Sequence, residues 1–286
     1  MKIGVDLGGT KVKAGIEFNG EIIHQNTVFL QEKESMSATL EQLFDLIRPL
    51  TQHPIGSIGI GVPSVVDVEK GIVYNVANIP SWEKVALRDI LEEEFNIPVY
   101  VNNDANCFSL GEHRYGVAQQ YNSVVGMTIG TGLGSGIIID NQLYNGSNCG
   151  AGEIGLLPYR EHNLEYYAGS NFFEAIHGTT ALLVSNAALD GDKKALRLWQ
   201  EFGVHLGFAI KAAMYTYDPE AIVLGGSIAK AYSFFEGGMR KALEDFAYPE
   251  TLKRIKILQS QNDDIALLGA AALVSQDSKV TVSSLR

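Results

Sequence analysis

Asp6-Leu7-Gly8-Gly9-Thr10-Lys11 is the most informative motif of this 286-residue chain. Part of the pattern recurs at Gly130-Thr131-Gly132, and one constant offset superposes Gly9 on Gly130, Thr10 on Thr131 and Gly15 on Gly136. Each copy predicts a strand, a glycine-rich bend, a second strand and a tight hairpin turn. Glycine lets backbone N–H groups approach a polyphosphate closely, and threonine adds a hydroxyl donor. The two bends together therefore predict a two-sided phosphate clamp.

The two copies differ at one telling position. The offset places Met127 where the first copy has Asp6, so only the first bend has an acid that could bind a metal ion, directly or through water. Because Mg²⁺ gives up its water reluctantly, we expect Asp6 to reach the ion through water, with Thr10 and Lys11 near the terminal phosphates. The alternative is a strand-end turn capped by the aspartate, and the recurrence of the bend makes that alternative weaker.

The composition is typical of a globular protein, with 46% hydrophobic residues. The formal net charge of −11 argues against nonspecific binding to nucleic acid or anionic lipid, since such binding needs clustered Lys and Arg. The apolar runs are too short for a membrane span, and Met1 to Gly15 lacks the pattern of a signal peptide. We expect Cys107 and Cys149, the only cysteines, to be free thiols in a reducing cytoplasm.

Strands that alternate with helices along the chain predict α/β architecture with mixed sheets. The sequence has no evident flexible linker, and the boundary between its halves is expected at about residues 112–120. We therefore expect a small N-terminal lobe at 1–115 and a larger C-terminal lobe at 116–286, with a cleft between the duplicated lobes. A helix of small residues is predicted at 265–274, and it can pack against the N-terminal lobe.

Asn102-Asn103-Asp104 comes just past a predicted strand at 99–101. The carboxyl ends of strands line the crevice of open α/β sheets, so Asp104 is a candidate general base for a hydroxyl nucleophile. Asp and Asn are also common N-caps, and a helix is predicted from Ala105 onward. Both roles can coexist in this segment, and the sequence leaves them open.

Two glutamates are candidates for binding neighbouring hydroxyl groups. Glu153 is flanked by glycines in a predicted loop, and Glu165 follows further along the chain. A carboxylate in a cleft accepts paired hydrogen bonds from hydroxyls, although a solvated surface acid is the default interpretation. Asn78, before Ile79-Pro80-Ser81-Trp82, indicates either hydroxyl recognition or plain turn chemistry. Trp82 either covers the site or packs beneath it.

Gly225-Gly226-Ser227 lies between a predicted buried strand and a predicted helix. Backbone of this kind can pass under an adenine or ribose, or it can simply make a tight strand–helix connection. The run at 130–134 superficially matches a dinucleotide fingerprint, but that fingerprint opens into a helix, whereas 135–140 predicts a strand. The six histidines show no metal-binding spacing.

These motifs together resemble the ROK family (repressors, open reading frames and kinases) over almost the whole chain. The resemblance rests on DLGGTK, GVPS with Asp67, NIPSW, VNNDANC, TIGTGLGSG, GAGEIG and IVLGGS, in order. It implies the two-lobed actin-like ATPase (ribonuclease H-like) fold, and transfer of the ATP γ-phosphoryl group to a hexose hydroxyl, commonly at carbon 6. It also implies that Asp104 is the catalytic base and that Asn78, Asn103, Glu153 and Glu165, with the loop at Gly61, hold the sugar. Homodimers are common in the family.

One departure from the family pattern bears on the acceptor. Leu156 stands where most members have a histidine that touches the sugar, and Pro158-Tyr159-Arg160-Glu161-His162-Asn163 replaces a cysteine-rich loop that binds zinc. Asn163-Leu164-Glu165 still resembles the end of that motif. We therefore expect no zinc, and an acceptor that is either glucose or an N-acetylated hexosamine.

The sequence thus predicts a cytoplasmic sugar kinase that uses ATP and Mg²⁺ and binds neither nucleic acid nor membrane. The first alternative is a sugar-responsive transcriptional regulator of the same family. Such regulators carry a winged-helix module ahead of the kinase-like region, whereas this sequence begins at the first predicted strand and is acidic. The others are a non-sugar actin-like ATPase and a nicotinamide-dependent oxidoreductase, which the strand at 135–140 disfavours.

Overall fold

The computed structural model describes residues 1–8 and 11–274, so Gly9 and Thr10 of the predicted phosphate clamp lie outside the described residues. The chain divides into two compact units. The first contains residues 1–120, 136–151 and those from 261 onward, and the second contains residues 121–135 and 152–260. Within the described part of the chain, no helix combines the length and the apolar character needed to cross a membrane.

Regular elements follow one another closely along the described residues. The strands are β1 Lys2–Leu7, β2 Lys11–Phe18, β3 Glu21–Phe29, β4 Ser57–Val62, β5 Val65–Asp67, β6 Ile72–Tyr74, β7 Lys84–Val85, β8 Val99–Asn103, β9 Val124–Ile129, β10 Leu133–Ile139, β11 Gln142–Leu143, β12 Pro158–Tyr159, β13 His162–Asn163, β14 Ala221–Gly225 and β15 Lys256–Gln259. The helices are α1 Met36–Ile47, α2 Leu87–Phe95, α3 Asp104–Arg114, α4 Leu164–Ala168, α5 Ala181–Leu189, α6 Lys193–Tyr217, α7 Tyr232–Leu243, α8 Pro249–Arg254 and α9 Ile265–Ala271. Short 3-10 turns lie at Leu50–Gln52, Ile154–Leu156 and Ile228–Ala231, and a π-helical turn lies at Phe172–Ile176.

The first unit is built on a mixed five-stranded sheet of order β3-β2-β1-β4-β8. β1, β2 and β3 form an antiparallel meander, whereas β1, β4 and β8 run parallel. Every residue of β4 is buried, as expected for a strand covered on both faces. Because the parallel strands share a direction, their carboxyl ends lie at one edge of the sheet. A small antiparallel sheet, β5-β6-β7, follows β4 in the chain.

The second five-stranded sheet, of order β11-β10-β9-β14-β15, repeats that topology. β9, β10 and β11 follow one another as β1, β2 and β3 do, and β14 runs parallel to both β9 and β15. The repetition confirms the duplicated mixed sheets inferred from the two glycine-rich bends.

The observed units differ from the lobes expected at 1–115 and 116–286. The chain leaves the first unit after Gln120 but returns to it at Gly136, inside β10. The reason is a backbone contact, because a Cβ atom at Gly136 would lie only 2.8 Å from the Cα of Asn106 in α3. The second half of β10 is therefore bound to the first unit by α3.

Within the first unit, α9 contacts its neighbours backbone to backbone. A Cβ atom on Gly269 would lie 2.7 Å from the backbone nitrogen of Gly111 in α3, and one on Gly4 would lie 2.8 Å from the carbonyl carbon of Leu267. Glycines on both sides of the contact thus let α9 approach α3 and β1 more closely than ordinary side chains allow. This packing holds the C-terminal helix against the sheet that carries Asp6.

The close contact of α9 predicts that one added methyl group at position 269 strongly destabilises the fold. Gly269→Ala should lower the free energy of unfolding by at least about 2 kcal/mol, because well-packed backbone has no room to relax. Gly56→Ala is the matched control, since its Cβ would meet nothing closer than 3.8 Å. Urea denaturation of both variants checks the prediction, and equal stabilities would contradict it.

Candidate functional site

Four of the sequence-predicted site residues meet at the carboxyl edge of β1, β4 and β8 in the first unit. Asp6 lies opposite Gly61 in the β1–β4 pairing, and Val62 lies opposite Asn103 in the β4–β8 pairing. A Cβ atom on Gly61 would lie 3.3 Å from the Cα of Asp104, so a larger residue at this position would crowd the start of α3. The structure therefore brings Asp6, Gly61, Asn103 and Asp104 together.

The N-terminus of α3 shows which of Asn103 and Asp104 is the N-cap. Asn103 is the N-cap, and its Oδ1 accepts hydrogen bonds from the backbone N–H groups of Ala105 at 2.9 Å and Asn106 at 3.3 Å. Asp104 occupies the first helical turn, where the helix dipole favours a negative side chain. Its Oδ1 also accepts from the Ala105 N–H, at 2.9 Å, which helps to fix the carboxylate. The capping role thus belongs to Asn103, and Asp104 is the first residue of α3.

Asp6 is the acid of the first bend. Burial raises the pKa of Asp6 above its ordinary range, and the nearby charges of Lys13 and Lys11 partly offset this. The N–H of Gly8 donates to the carbonyl of Lys11 at 3.0 Å, so the two described residues that flank the bend are hydrogen-bonded to each other. Lys11 itself is exposed at the start of β2.

The second glycine-rich bend lies in the second unit, between β9 and β10. The N–H of Gly130 donates to the carbonyl of Gly132 at 3.0 Å, and Thr131 is exposed between them. The next residues form β10, so the bend opens into a strand and not into the helix of a dinucleotide fingerprint.

Gly225 and Gly226 end the neighbouring strand β14. Gly225 lies opposite Thr128 of β9, which places this second connection beside the Gly130–Gly132 bend. Gly226 has a φ of +87°, and a Cβ atom there would lie 2.7 Å from the backbone nitrogen of Ile129. The connection therefore requires glycine both for its conformation and for the close approach of the two strands.

Glu153 and Glu165 form an acidic pair in the second unit. Glu165 lies in the first turn of α4, whose N-cap, Asn163, accepts the N–H of Tyr166 at 3.0 Å. Glu153 precedes the 3-10 turn at Ile154–Leu156. The pKa of Glu153 is raised, first by burial and then by the charge of Glu165.

Asn78 lies in the exposed loop after the small sheet, with a φ of +62°. The backbone N–H of Ala77 donates to the carbonyl of Pro63 at 3.2 Å, which brings this loop alongside the turn that follows β4. Trp82 is a core residue, since it is 1% exposed and its Nε1 donates to the Thr39 hydroxyl at 2.7 Å. Of the two interpretations for Trp82, packing beneath the loop is the one observed.

Sequence reasoning missed a buried polar network behind the start of α3. Asn102 Nδ2 donates to Asn145 Oδ1 at 3.1 Å, Asn106 Nδ2 donates to Asn102 Oδ1 at 2.9 Å, and the Cys149 thiol donates to Asn102 Oδ1 at 3.2 Å. Burial raises the pKa of Cys149 to about 11. The thiol is therefore a neutral hydrogen-bond donor, and the network ties the loop at 145–149 to α3. The spacing of the asparagines in VNNDAN, one helical turn apart, was the available signal.

The segment Pro158–Asn163 forms the β12–β13 hairpin, and its side chains meet α6 in an aromatic cluster. The Tyr159 hydroxyl lies 3.1 Å from Nδ1 of His205, and the Arg160 guanidinium lies 5.5 Å from the ring centres of Tyr159 and Tyr167. Burial, with smaller effects from Arg160 and His177, lowers the pKa of His205 to about 4. In residues 1–8 and 11–274, no three His, Cys, Asp or Glu side chains are grouped closely enough to hold a metal ion.

Comparison with known proteins identifies the family and the fold. The family model described as "ROK family" matches residues 2–277. A xylose repressor from Caldicellulosiruptor bescii is 28% identical, over 96% of this chain and 78% of its own length. A glucokinase from Thermotoga maritima is 26% identical, over 96% of this chain and 97% of its own length. A solved structure of a ROK family glucokinase from Streptomyces griseus, in complex with glucose and AMPPNP, is 26% identical, covers 95% of this chain and 98% of its own, and has a TM-score of 0.82. The structural match confirms the predicted actin-like ATPase fold.

The buried histidine of the aromatic cluster predicts acid lability. Unfolded protein takes up a proton at this imidazole below its ordinary pKa of 6.5, whereas the folded protein resists until about 4. The free energy of unfolding should therefore fall as the pH drops through this window, by roughly 3 kcal/mol from this group at most.

His205→Gln tests this prediction, because glutamine does not titrate. The variant should lose less stability than the parent protein between pH 7 and pH 4.5, as measured by urea denaturation at a series of pH values. His24→Gln, at an exposed histidine of β3, controls for the effect of the substitution itself. Parallel curves for His205→Gln and the parent protein would refute the assignment.

Proposed function

Because the chain belongs to the ROK family, we propose that it is a sugar kinase that transfers the γ-phosphoryl group of ATP to a hexose hydroxyl. The hydroxyl is O6 of glucose or of an N-acetylated hexosamine. The observation that carries the proposal is the position of Asp104. It lies at the N-terminus of α3, beside Gly61 and the N-cap residue Asn103. The similar glucokinases support the same activity.

In this proposal Asp104 is the general base. It takes the proton of the acceptor hydroxyl while the hydroxyl oxygen forms a bond to the γ-phosphorus, and the bond from that phosphorus to the bridging oxygen of ADP breaks. The hydrogen bond from the Ala105 N–H orients the carboxylate for this task. Positioned bases of this kind contribute ~10²–10⁴-fold to the rate.

The nucleotide would be bound by the two glycine-rich bends and the Gly225–Gly226 connection. Exposed Thr131 and Lys11 offer a hydroxyl and a positive charge to the phosphates, and Gly226 leaves backbone accessible where adenosine would pass. The single carboxylate of Asp6 fits Mg²⁺, which commonly binds through one or two carboxylates, water and substrate phosphates. When bound, Mg²⁺ neutralises charge on the phosphoryl oxygens.

The sugar would be held by Glu153, Glu165, Asn103 and Asn78, beside Gly61. Paired carboxylates accept hydrogen bonds from adjacent hydroxyls, and their positions orient the acceptor for in-line attack. Leu156 is the last residue of the 3-10 turn that follows Glu153, and it is 55% exposed. An apolar side chain at this position suits a substituent such as an acetamido methyl group at least as well as a further hydroxyl.

A sugar-responsive regulator is the second candidate, because several similar proteins are xylose repressors. The net charge of −11 opposes DNA binding by this chain. A regulator would bind sugar without turnover, and a non-sugar ATPase would release ADP without an acceptor. The two alternatives therefore differ from the kinase in a single assay.

The proposed activity predicts that purified protein releases ADP mainly when a hexose is added. A coupled ADP-release assay over glucose, fructose, mannose, allose, N-acetylglucosamine and N-acetylmannosamine, with and without Mg²⁺, measures this directly. We expect the fastest release with glucose or an N-acetylated hexosamine. Equal ADP release with and without sugar indicates an acceptor-independent ATPase. Sugar binding without ADP release, followed by DNA retardation in a gel-shift assay at moderate salt, supports the regulator.

The assigned base predicts that Asp104→Asn lowers kcat by ~10²–10⁴-fold, because the amide cannot take up the proton. Asp140→Asn is the matched control, since it makes the same chemical change in an exposed hairpin turn where φ is +49°. The control should retain the parent rate. Near-normal phosphorylation by a folded Asp104→Asn protein would eliminate Asp104 as the base.

A further inference from the structure

We propose that Glu165 is a positioning residue for the Gly130–Gly132 bend, so that one carboxylate of the sugar site also shapes the nucleotide site. The inference rests on the proposed function, and it goes further by assigning Glu165 a second role within the second unit. Its basis is the set of contacts that the bend makes with residues 165–170. This segment begins within α4 and ends just after it.

The Glu165 carboxylate lies directly against the bend. Its Oε2 accepts a hydrogen bond from the backbone N–H of Leu133 at 3.4 Å. A Cβ atom on Gly132 would lie 2.6 Å from the same oxygen. Glycine at 132 is therefore needed for the carboxylate to reach this position, and the carboxylate fixes the point at which the bend becomes β10.

The chain just after α4 holds the other end of the bend. The N–H of Ser170 donates to the carbonyl of Gly130 at 2.9 Å and to that of Thr131 at 3.3 Å. A Cβ atom on Gly169 would lie 3.0 Å from the Thr131 carbonyl oxygen. Residues 165–170 thus contact the bend along its whole length, with a side-chain acceptor at one end and a backbone donor at the other.

α4 is itself fixed by the β12–β13 hairpin, so the position of the carboxylate is determined. The Tyr167 hydroxyl donates to Glu161 at 2.9 Å, and the ring of Tyr166 stacks on His162 with ring centres 3.9 Å apart. These contacts flank Glu165 on the C-terminal side in sequence. A short helix anchored in this way can hold the bend in one conformation.

Charge alone would not favour this arrangement, because a carboxylate beside a triphosphate site repels the phosphates. The value of Glu165 to the bend must therefore come from its acceptor oxygen. Glutamine keeps an acceptor oxygen without the charge, and alanine removes both. The difference between Glu165→Gln and Glu165→Ala thus isolates the hydrogen bond.

The test is AMPPNP titration by calorimetry in the absence of sugar. Glu165→Gln should bind AMPPNP as tightly as the parent protein or more tightly, and Glu165→Ala should bind about three- to tenfold more weakly than Glu165→Gln. Glu153 is the control, because it is the other acid of the pair and precedes the 3-10 turn at Ile154–Leu156. Glu153→Gln and Glu153→Ala should bind AMPPNP with equal affinity. Equal affinities of the two Glu165 variants would overturn the inference.

Amide hydrogen exchange, followed by NMR at Leu133, gives an independent reading. The Leu133 amide should exchange slowly in the parent protein and in Glu165→Gln, and faster in Glu165→Ala. Fast exchange in the parent protein would overturn the inference even if Glu165→Ala failed to fold. If the parent protein did not bind AMPPNP, the proposed function would fail, and the exchange rates alone would decide the role of Glu165.

Discussion

The backbone contact of α9 with α3 and β1 is the constraint on which the first unit depends. Gly269 and Gly111 face each other where any side chain would collide, and Gly4 admits the same helix to β1. The contact sets the depth at which α3 lies on the sheet, and α3 carries Asp104 at its first position. The geometry of the proposed base therefore depends on residues that carry no chemistry themselves. In such a packed interior, a shift of one ångström at the helix is transmitted directly to its N-terminus.

The two glycine-rich bends each have a carboxylate beside them, but it comes from a different element in each copy. In the first copy the acid belongs to the strand itself, because Asp6 lies in β1 next to Gly61. In the second copy the equivalent position is Met127, which is fully buried. The carboxylate at that bend comes instead from Glu165 on α4, which reaches the bend over Gly132. The second copy thus has no acid at this position of its strand, and a separate helix supplies one.

The sequence predicted the elements that are local and left out those that arise from distant contacts. Repetition of the glycine-rich bend was sufficient to predict the duplicated sheets, and the motif order was sufficient to predict the family. The N-cap and the candidate base could not be separated at Asn103 and Asp104, because both residue types suit both roles and only the helix start distinguishes them. The return of residues 136–151 to the first unit depends on contact between β10 and α3, which no local pattern encodes. The same holds for Trp82, whose buried indole donates a hydrogen bond to Thr39, 43 residues away in the chain.

Environment distinguishes the carboxylates that composition alone would treat as equal. Asp6 is buried with only partial compensation from lysines, so its anionic form is costly until a cation arrives, which suits a residue that meets a metal ion. Glu153 is destabilised as an anion by burial and by Glu165, so it gains from any partner that donates hydrogen bonds. Asp104 lies instead in the first turn of α3, where its Oδ1 accepts a hydrogen bond from the Ala105 N–H. Acids of the same kind thus lie in different environments, which suits them to the different roles proposed for them.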